Sequence, residues 1–171
     1  MSAASSLDIP VGVIVERVKA TSQWIDYIWR PAKVLEGQPD TLPWTKLAED
    51  GERTTFYAGP ARIELHPTET GNYRDNLATG SPSLWVVLRE TGGDPPYDVF
   101  LVTADPSEDE GMTEAGNDLV EAVPMPEQIR GQVAAFVAEH HVETAFVKRK
   151  RDRANPESLG RRPPAAQGNK E

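Results

Sequence analysis

Strand-length apolar runs follow one another along this chain with no strongly patterned helix between them, and its one such helix comes only after the last run. Parallel strands need a long crossover, usually helical, between them, so this order restricts the fold to a mostly antiparallel sheet with a helix at its end. The first run, Val11 to Val18, is rich in β-branched residues and follows Pro10, which predicts a strand. In Trp24 to Leu35, aromatic and polar positions alternate and Pro31 interrupts the run, which predicts a strand bent at an edge or bulge. Gly37 to Pro43 reads as a loop.

Arg53 to Tyr57 and Ala61 to His66 flank Ala-Gly-Pro, and Ile63 and Leu65 alternate with Arg62, Glu64 and His66. That pattern predicts a hairpin wet on one side. Thr68 to Pro82 is polar and turn-rich and reads as a loop. Leu84 to Leu88 and Tyr97 to Thr103 are apolar runs separated by Thr-Gly-Gly-Asp-Pro-Pro, which predicts a central hairpin. A short surface helix is expected after Pro106, and a short edge strand at Leu119 to Val123.

The closing helix starts at Pro126, with Glu127 complementing its positive end. Ile129, Val133, Phe136, Val137 and His140 form one stripe at helical spacing. Gly131 weakens the helix by about 1 kcal/mol relative to alanine. The fold expectation is therefore α+β: a mostly antiparallel sheet or partly open barrel of about six strands, with a C-terminal amphipathic helix packed on it. Residues 10–147 are expected to form one domain, preceded by a flexible N-terminus (1–9) and followed by a basic, disordered tail (148–171).

Charge sharpens that boundary. From residue 148 onward there are eight Lys and Arg against three acids, a net of +5, whereas residues 1–147 carry ten against 24, a net of −14. An acidic globule repels nucleic acid and anionic lipid, so binding to either is disfavoured unless the tail supplies it. Cysteine is absent, which excludes disulfides, thiolate metal sites and cysteine nucleophiles. The first residues lack a secretory signal, and no run approaches the roughly 20 apolar residues of a bilayer span, so the expected location is the cytoplasm.

No catalytic set, cofactor motif or metal-ligand cluster emerges. His140 and His141 are adjacent, about 100° apart on a helix, whereas helical ligands for one ion sit three or four residues apart. The simpler reading places His140 at the end of the apolar stripe and His141 at the negative helix end. Tyr73-Arg74-Asp75-Asn-Leu is a second candidate, since Arg and Asp in a loop can bind an anion, although the same residues commonly stabilise turns. Trp29 beside Arg30 suits a protein interface; Trp24 and Trp44 divide between interface and core edge, and Trp85 is expected in the core. Glu108-Asp-Glu110 lacks the ligand spacing of a calcium loop. Lys148-Arg149-Lys150-Arg151 is a candidate contact for phosphates or for an acidic protein.

Gly12-Val-Ile-Val-Glu-Arg17, Trp29-Arg-Pro-Ala-Lys-Val-Leu35, Tyr73-Arg-Asp-Asn-Leu77, Glu121-Ala-Val-Pro-Met-Pro126 and Phe136-Val-Ala-Glu-His-His-Val142, ending in Phe146-Val-Lys-Arg-Lys-Arg151, resemble an uncharacterised bacterial domain family. Genes of that family are found near those of molybdenum- or tungsten-dependent formate dehydrogenases and their accessory proteins. The resemblance implies a non-catalytic accessory role in assembly, maturation or regulation, with a formate dehydrogenase subunit or maturation factor as partner. It carries over no catalytic residue. Two rival expectations are a small-molecule or nucleotide-binding module, with or without enzymatic activity, with a pocket near Arg74, Asp75 and His66, and nucleic-acid binding through the basic tail.

Overall fold

β-Branched residues on alternate positions give β1 (Leu7–Lys19) an apolar face on which Ile9, Val11, Val13 and Val15 are buried. The structure, a computed structural model, describes residues 5–108 and 118–141. Because β1 begins at Leu7, residues 7–9 form its first rungs, ahead of the boundary expected at residue 10. It pairs antiparallel with β2 (Tyr27–Glu36) on one side and β4 (Arg53–Leu65) on the other. β3 (Thr45–Asp50) adds to β4, giving a first sheet in the order β2-β1-β4-β3.

Pro31 behaves as predicted. β2 is an edge strand, and its register slips between Ile14↔Lys33 and Val15↔Pro31, leaving Ala32 opposite no residue. A proline donates no ladder hydrogen bond, and a bulge on an edge is where that omission costs least.

The hairpin expected across Ala58-Gly59-Pro60 does not form. Residues 53–65 are one continuous strand whose pairing with β1 slips by a residue between Ile14↔Tyr57 and Val13↔Gly59. Gly59 takes a φ of 142°, a conformation that side chains oppose, so the sequence signal of a turn is spent on a bulge. The true turn precedes β4 at Gly51, also at positive φ, and joins it to β3. Every residue of β3 is exposed, so the strand shows none of the apolar alternation that would have predicted it.

Thr68 to Pro82 is not a loop throughout. A 3-10 turn (Pro67–Glu69) leads into helix α1 (Thr70–Leu77), which buries Thr70, Tyr73 and Asn76 at intervals of three. Two of these three buried residues are polar, which hid the helix from a hydrophobic pattern. Asn76 Nδ2 donates to the carbonyls of Ser83 (2.8 Å) and Ala104 (3.0 Å), and its Oδ1 accepts from Ser83 N–H (3.0 Å).

The second sheet holds β5 (Ser83–Glu90) between β6 (Tyr97–Thr103) and β7 (Leu119–Pro124), all antiparallel. The β5–β6 hairpin and the β7 edge strand match expectation, and Pro106 opens a helical turn. Leu84, Val86, Val87 and Leu88 are buried, but Trp85, expected in the core, is half-buried.

Helix α2 (Glu127–His140) has Pro126 at its N-cap. Ile129, Val133, Phe136 and Val137 are buried in the same apolar cluster as β1, β4 and β5 residues, and Phe136 meets Tyr73 of α1 edge-on at 6.3 Å. β4 lies close to β6, and β2 to β7, yet no strand pairing joins the two sheets among the described residues, so the barrel is not closed. Among the described residues, seven strands in two sheets stand where a sheet of about six was expected.

Candidate functional site

The β1–β2 hairpin carries the largest exposed apolar side chains close together in sequence. Ala20 N–H donates to the Asp26 carbonyl and closes the hairpin, holding Trp24 and Ile25 in its loop. Trp24 is 84% exposed, Ile25 53% and Ile28 51%, with Tyr27 also exposed. Isolated exposed apolar residues are ordinary, but four within five positions gather at one end of the hairpin, an apolar excess of the kind that marks contact surfaces.

Along β2 the strand alternation sorts side chains by face. Trp29 turns inward, its ring stacked on Phe56 (5.8 Å) and edge-on to Trp44 (5.9 Å), with Tyr97 of the second sheet at 6.4 Å. Trp44 adopts a φ of 65°, unusual for a bulky residue and costing about 1–3 kcal/mol, while its N–H bonds to the Tyr57 carbonyl. Arg17, the register partner of Trp29, lays its guanidinium over Tyr27 (4.2 Å), with Phe56 at 5.2 Å and Trp29 at 5.6 Å. Its Nε is sealed from solvent and has no hydrogen-bond partner.

Arg30, paired with Trp29 by the sequence reading, points to the other face. There it shares the buried Glu16 carboxylate with Arg53, at 3.0 and 2.7 Å. Burial alone pushes the Glu16 carboxyl up, but hydrogen bonds from Arg53 and then Arg30 outweigh it and hold the group below its ordinary value. This is a structural ion cluster rather than a reactive acid.

The remaining candidates separate. Tyr73 is fully buried, its hydroxyl accepting from His66 N–H at 2.9 Å, and burial pushes the phenol up to about 12. Arg74 and Asp75 lie on the exposed side of α1. His66 lines a cleft of about 260 Å³ between β4 and β6, with Arg62, Glu64 and Phe100, and neither Arg74 nor Asp75 lines that cleft. His140 is half-buried, 4.4 Å from the Phe136 ring, in keeping with the end of the stripe. His141 caps α2 through its N–H to Val137 O and reaches Thr70 Oγ1 with Nδ1 at 2.9 Å, tying α2 to α1. Lys148, Arg149, Lys150 and Arg151 lie outside the described residues. Among those described, no group of three or more His, Asp or Glu side chains is placed to hold a metal ion. No described helix is long and apolar enough to cross a membrane.

Sequence reasoning named Trp29 but missed Arg17 and gave Trp24 no special weight. Arg17 becomes notable only through the β1–β2 register, whereas the cluster Trp24-Ile25-Asp26-Tyr27-Ile28 was visible as an apolar excess within a predicted edge strand.

Fold and surface together define a small α+β domain of two antiparallel sheets with an aromatic hairpin face. The family model described as a protein of unknown function, DUF3305, matches residues 10–150, and the chain belongs to that family. No curated protein and no solved structure matches it.

Proposed function

We propose that this chain is a non-catalytic binding protein that attaches to a protein partner through the exposed loop end of its β1–β2 hairpin. The observation that carries this reading is the run of exposed Trp24, Ile25, Tyr27 and Ile28. Tryptophan and tyrosine dominate interface energetics because one rigid ring buries a large area at small entropic cost. The resemblance noted in the sequence supplies the partner: a subunit or maturation factor of a formate dehydrogenase, met in the cytoplasm during assembly, maturation or regulation of that molybdoenzyme.

Affinity purification of the tagged chain from a host expressing the formate dehydrogenase tests this. The expected result is reproducible recovery of the enzyme or its maturation proteins, lost on Trp24→Ala/Ile25→Ala, with reduced formate dehydrogenase activity in a deletion strain. Absence of those proteins together with normal activity in the deletion strain sinks the proposal.

A second reading, small-molecule binding, rests on the cleft lined by Arg62, Glu64, His66 and Phe100. Ligand-induced shifts confined to the His66 ring in NMR titrations would favour it over the hairpin.

A further inference from the structure

Arg17 is held in an unusual way. Aromatic rings surround its guanidinium: Tyr27 at 4.2 Å, Phe56 at 5.2 Å and Trp29 at 5.6 Å. Such contacts engage the cation through its charge and its flat faces, whereas its N–H donors lie in the guanidinium plane and need acceptors at its edge. Nε has none and is cut off from water. Among the described residues, no ion pair or hydrogen bond engages the two terminal nitrogens, and they are not sealed from solvent as Nε is. A half-buried arginine with its edge unserved favours an arriving anion, because a charge-assisted bond there is formed in a less aqueous setting than at an open surface.

We infer that Arg17 is the polar anchor of the hairpin surface and binds a carboxylate on an apolar segment of a partner protein, end-on through its terminal nitrogens. The inference rests on the partner-binding reading above and deepens it. A carboxylate fits better than a phosphate: the body of the chain carries a net −14, which repels a dianion more than a single charge flanked by apolar groups. Those groups have their complement beside the guanidinium in exposed Tyr27, and further along the hairpin in Trp24 and Ile25. Glu49 does not already fill this role. Its carboxyl sits 2.9 Å from Lys46 and is held below its ordinary value mainly by that lysine, with Arg17 a lesser influence.

The test uses the full chain and three probe peptides: N-acetyl-Phe-Leu-Phe with a free C-terminal carboxylate, the same peptide as its amide, and N-acetyl-Leu-Glu-Leu amide. NMR follows the Arg17 Nε–H and the Trp29 indole N–H. Both carboxylate peptides are expected to shift the two signals and to bind at least about tenfold more tightly than the amide. Arg17→Gln should reduce the carboxylate peptides to the level of the amide. Glu49→Gln, which leaves the anchor intact and removes a nearby negative charge, should tighten them. Equal binding of acid and amide, or no shift with either, overturns the inference. Equal binding that Trp24→Ala abolishes overturns the role of Arg17 alone and leaves the hairpin surface standing, whereas failure of the purification above removes the surface itself.

Discussion

Asn76→Ala is expected to be among the most damaging single changes outside the apolar core. The side chain is 4% exposed and makes three hydrogen bonds, two donated to the Ser83 and Ala104 carbonyls and one accepted from Ser83 N–H. Together they join α1 to the start of β5 and to the segment leaving β6. Each bond contributes about 0.5–1.5 kcal/mol net, and Ala104 is fully buried, so its carbonyl loses a partner that water does not replace. The expected loss is about 2–4 kcal/mol, a large fraction of the roughly 5–15 kcal/mol typical of a domain. Equilibrium urea unfolding should show the midpoint falling by about 1–2 M at unchanged slope. Asn76→Asp tests the same geometry by a different route. A carboxylate oxygen in the place of Nδ2 faces two carbonyl oxygens, so the ionised form is disfavoured in the folded state and its folded pKa is raised. The penalty is then fully present above that raised value and disappears as pH falls below the unfolded value, about 3.9. A loss below about 1 kcal/mol for Asn76→Ala, or a penalty for Asn76→Asp that does not ease with acid, would refute the assignment of these bonds.

Three further outcomes follow from the packing. The Glu16 carboxyl is held below its ordinary value, so its contribution is present above the unfolded value, about 4.3, and is lost as pH falls through the depressed folded value; Glu16→Gln should flatten the acid limb of a stability–pH curve below about pH 4. Gly12→Ala places a Cβ 2.8 Å from Tyr57 Cε1 and 3.2 Å from Pro39 Cδ, and thermal unfolding should register a loss of about 1–3 kcal/mol. Tyr57→Phe removes a buried hydroxyl that has no hydrogen-bond partner, so it should be neutral or stabilising by up to about 1 kcal/mol, and a clear destabilisation would show a bond that the geometry does not contain.

The elements legible in the sequence are those whose burial follows a simple period. β1, β5 and α2 announce themselves because their buried residues are mainly apolar and fall in a run or at helical spacing, and β6 because its apolar run from Val99 to Val102 has the length of a strand. β3 was invisible because Thr45–Asp50 buries nothing and exists by pairing with β4. α1 was hidden because Thr70 and Asn76, two of its three buried residues, are polar. The Ala58-Gly59-Pro60 signal was read as a turn because a bulge and a turn ask the same thing of glycine, and only pairing with β1 distinguishes them. At the candidate site the Trp29-Arg30 dipeptide suggested one surface, but neighbours on a strand face opposite ways, and they serve an aromatic cluster and a buried carboxylate respectively.

The position of β1 between β2 and β4 bears on how the chain assembles. Its β2 edge is satisfied by the adjacent hairpin, a local event on the microsecond scale. Its other edge must wait: Leu7 pairs with Leu65 and Val11 with Ala61, so the first sheet is completed only by contacts of long sequence separation, which slow folding. During synthesis the β1–β2 hairpin therefore emerges with one strand edge open and its aromatic side chains uncovered until β4 has left the ribosome. A hairpin suited to holding a partner is, in that interval, also the segment most in need of a chaperone.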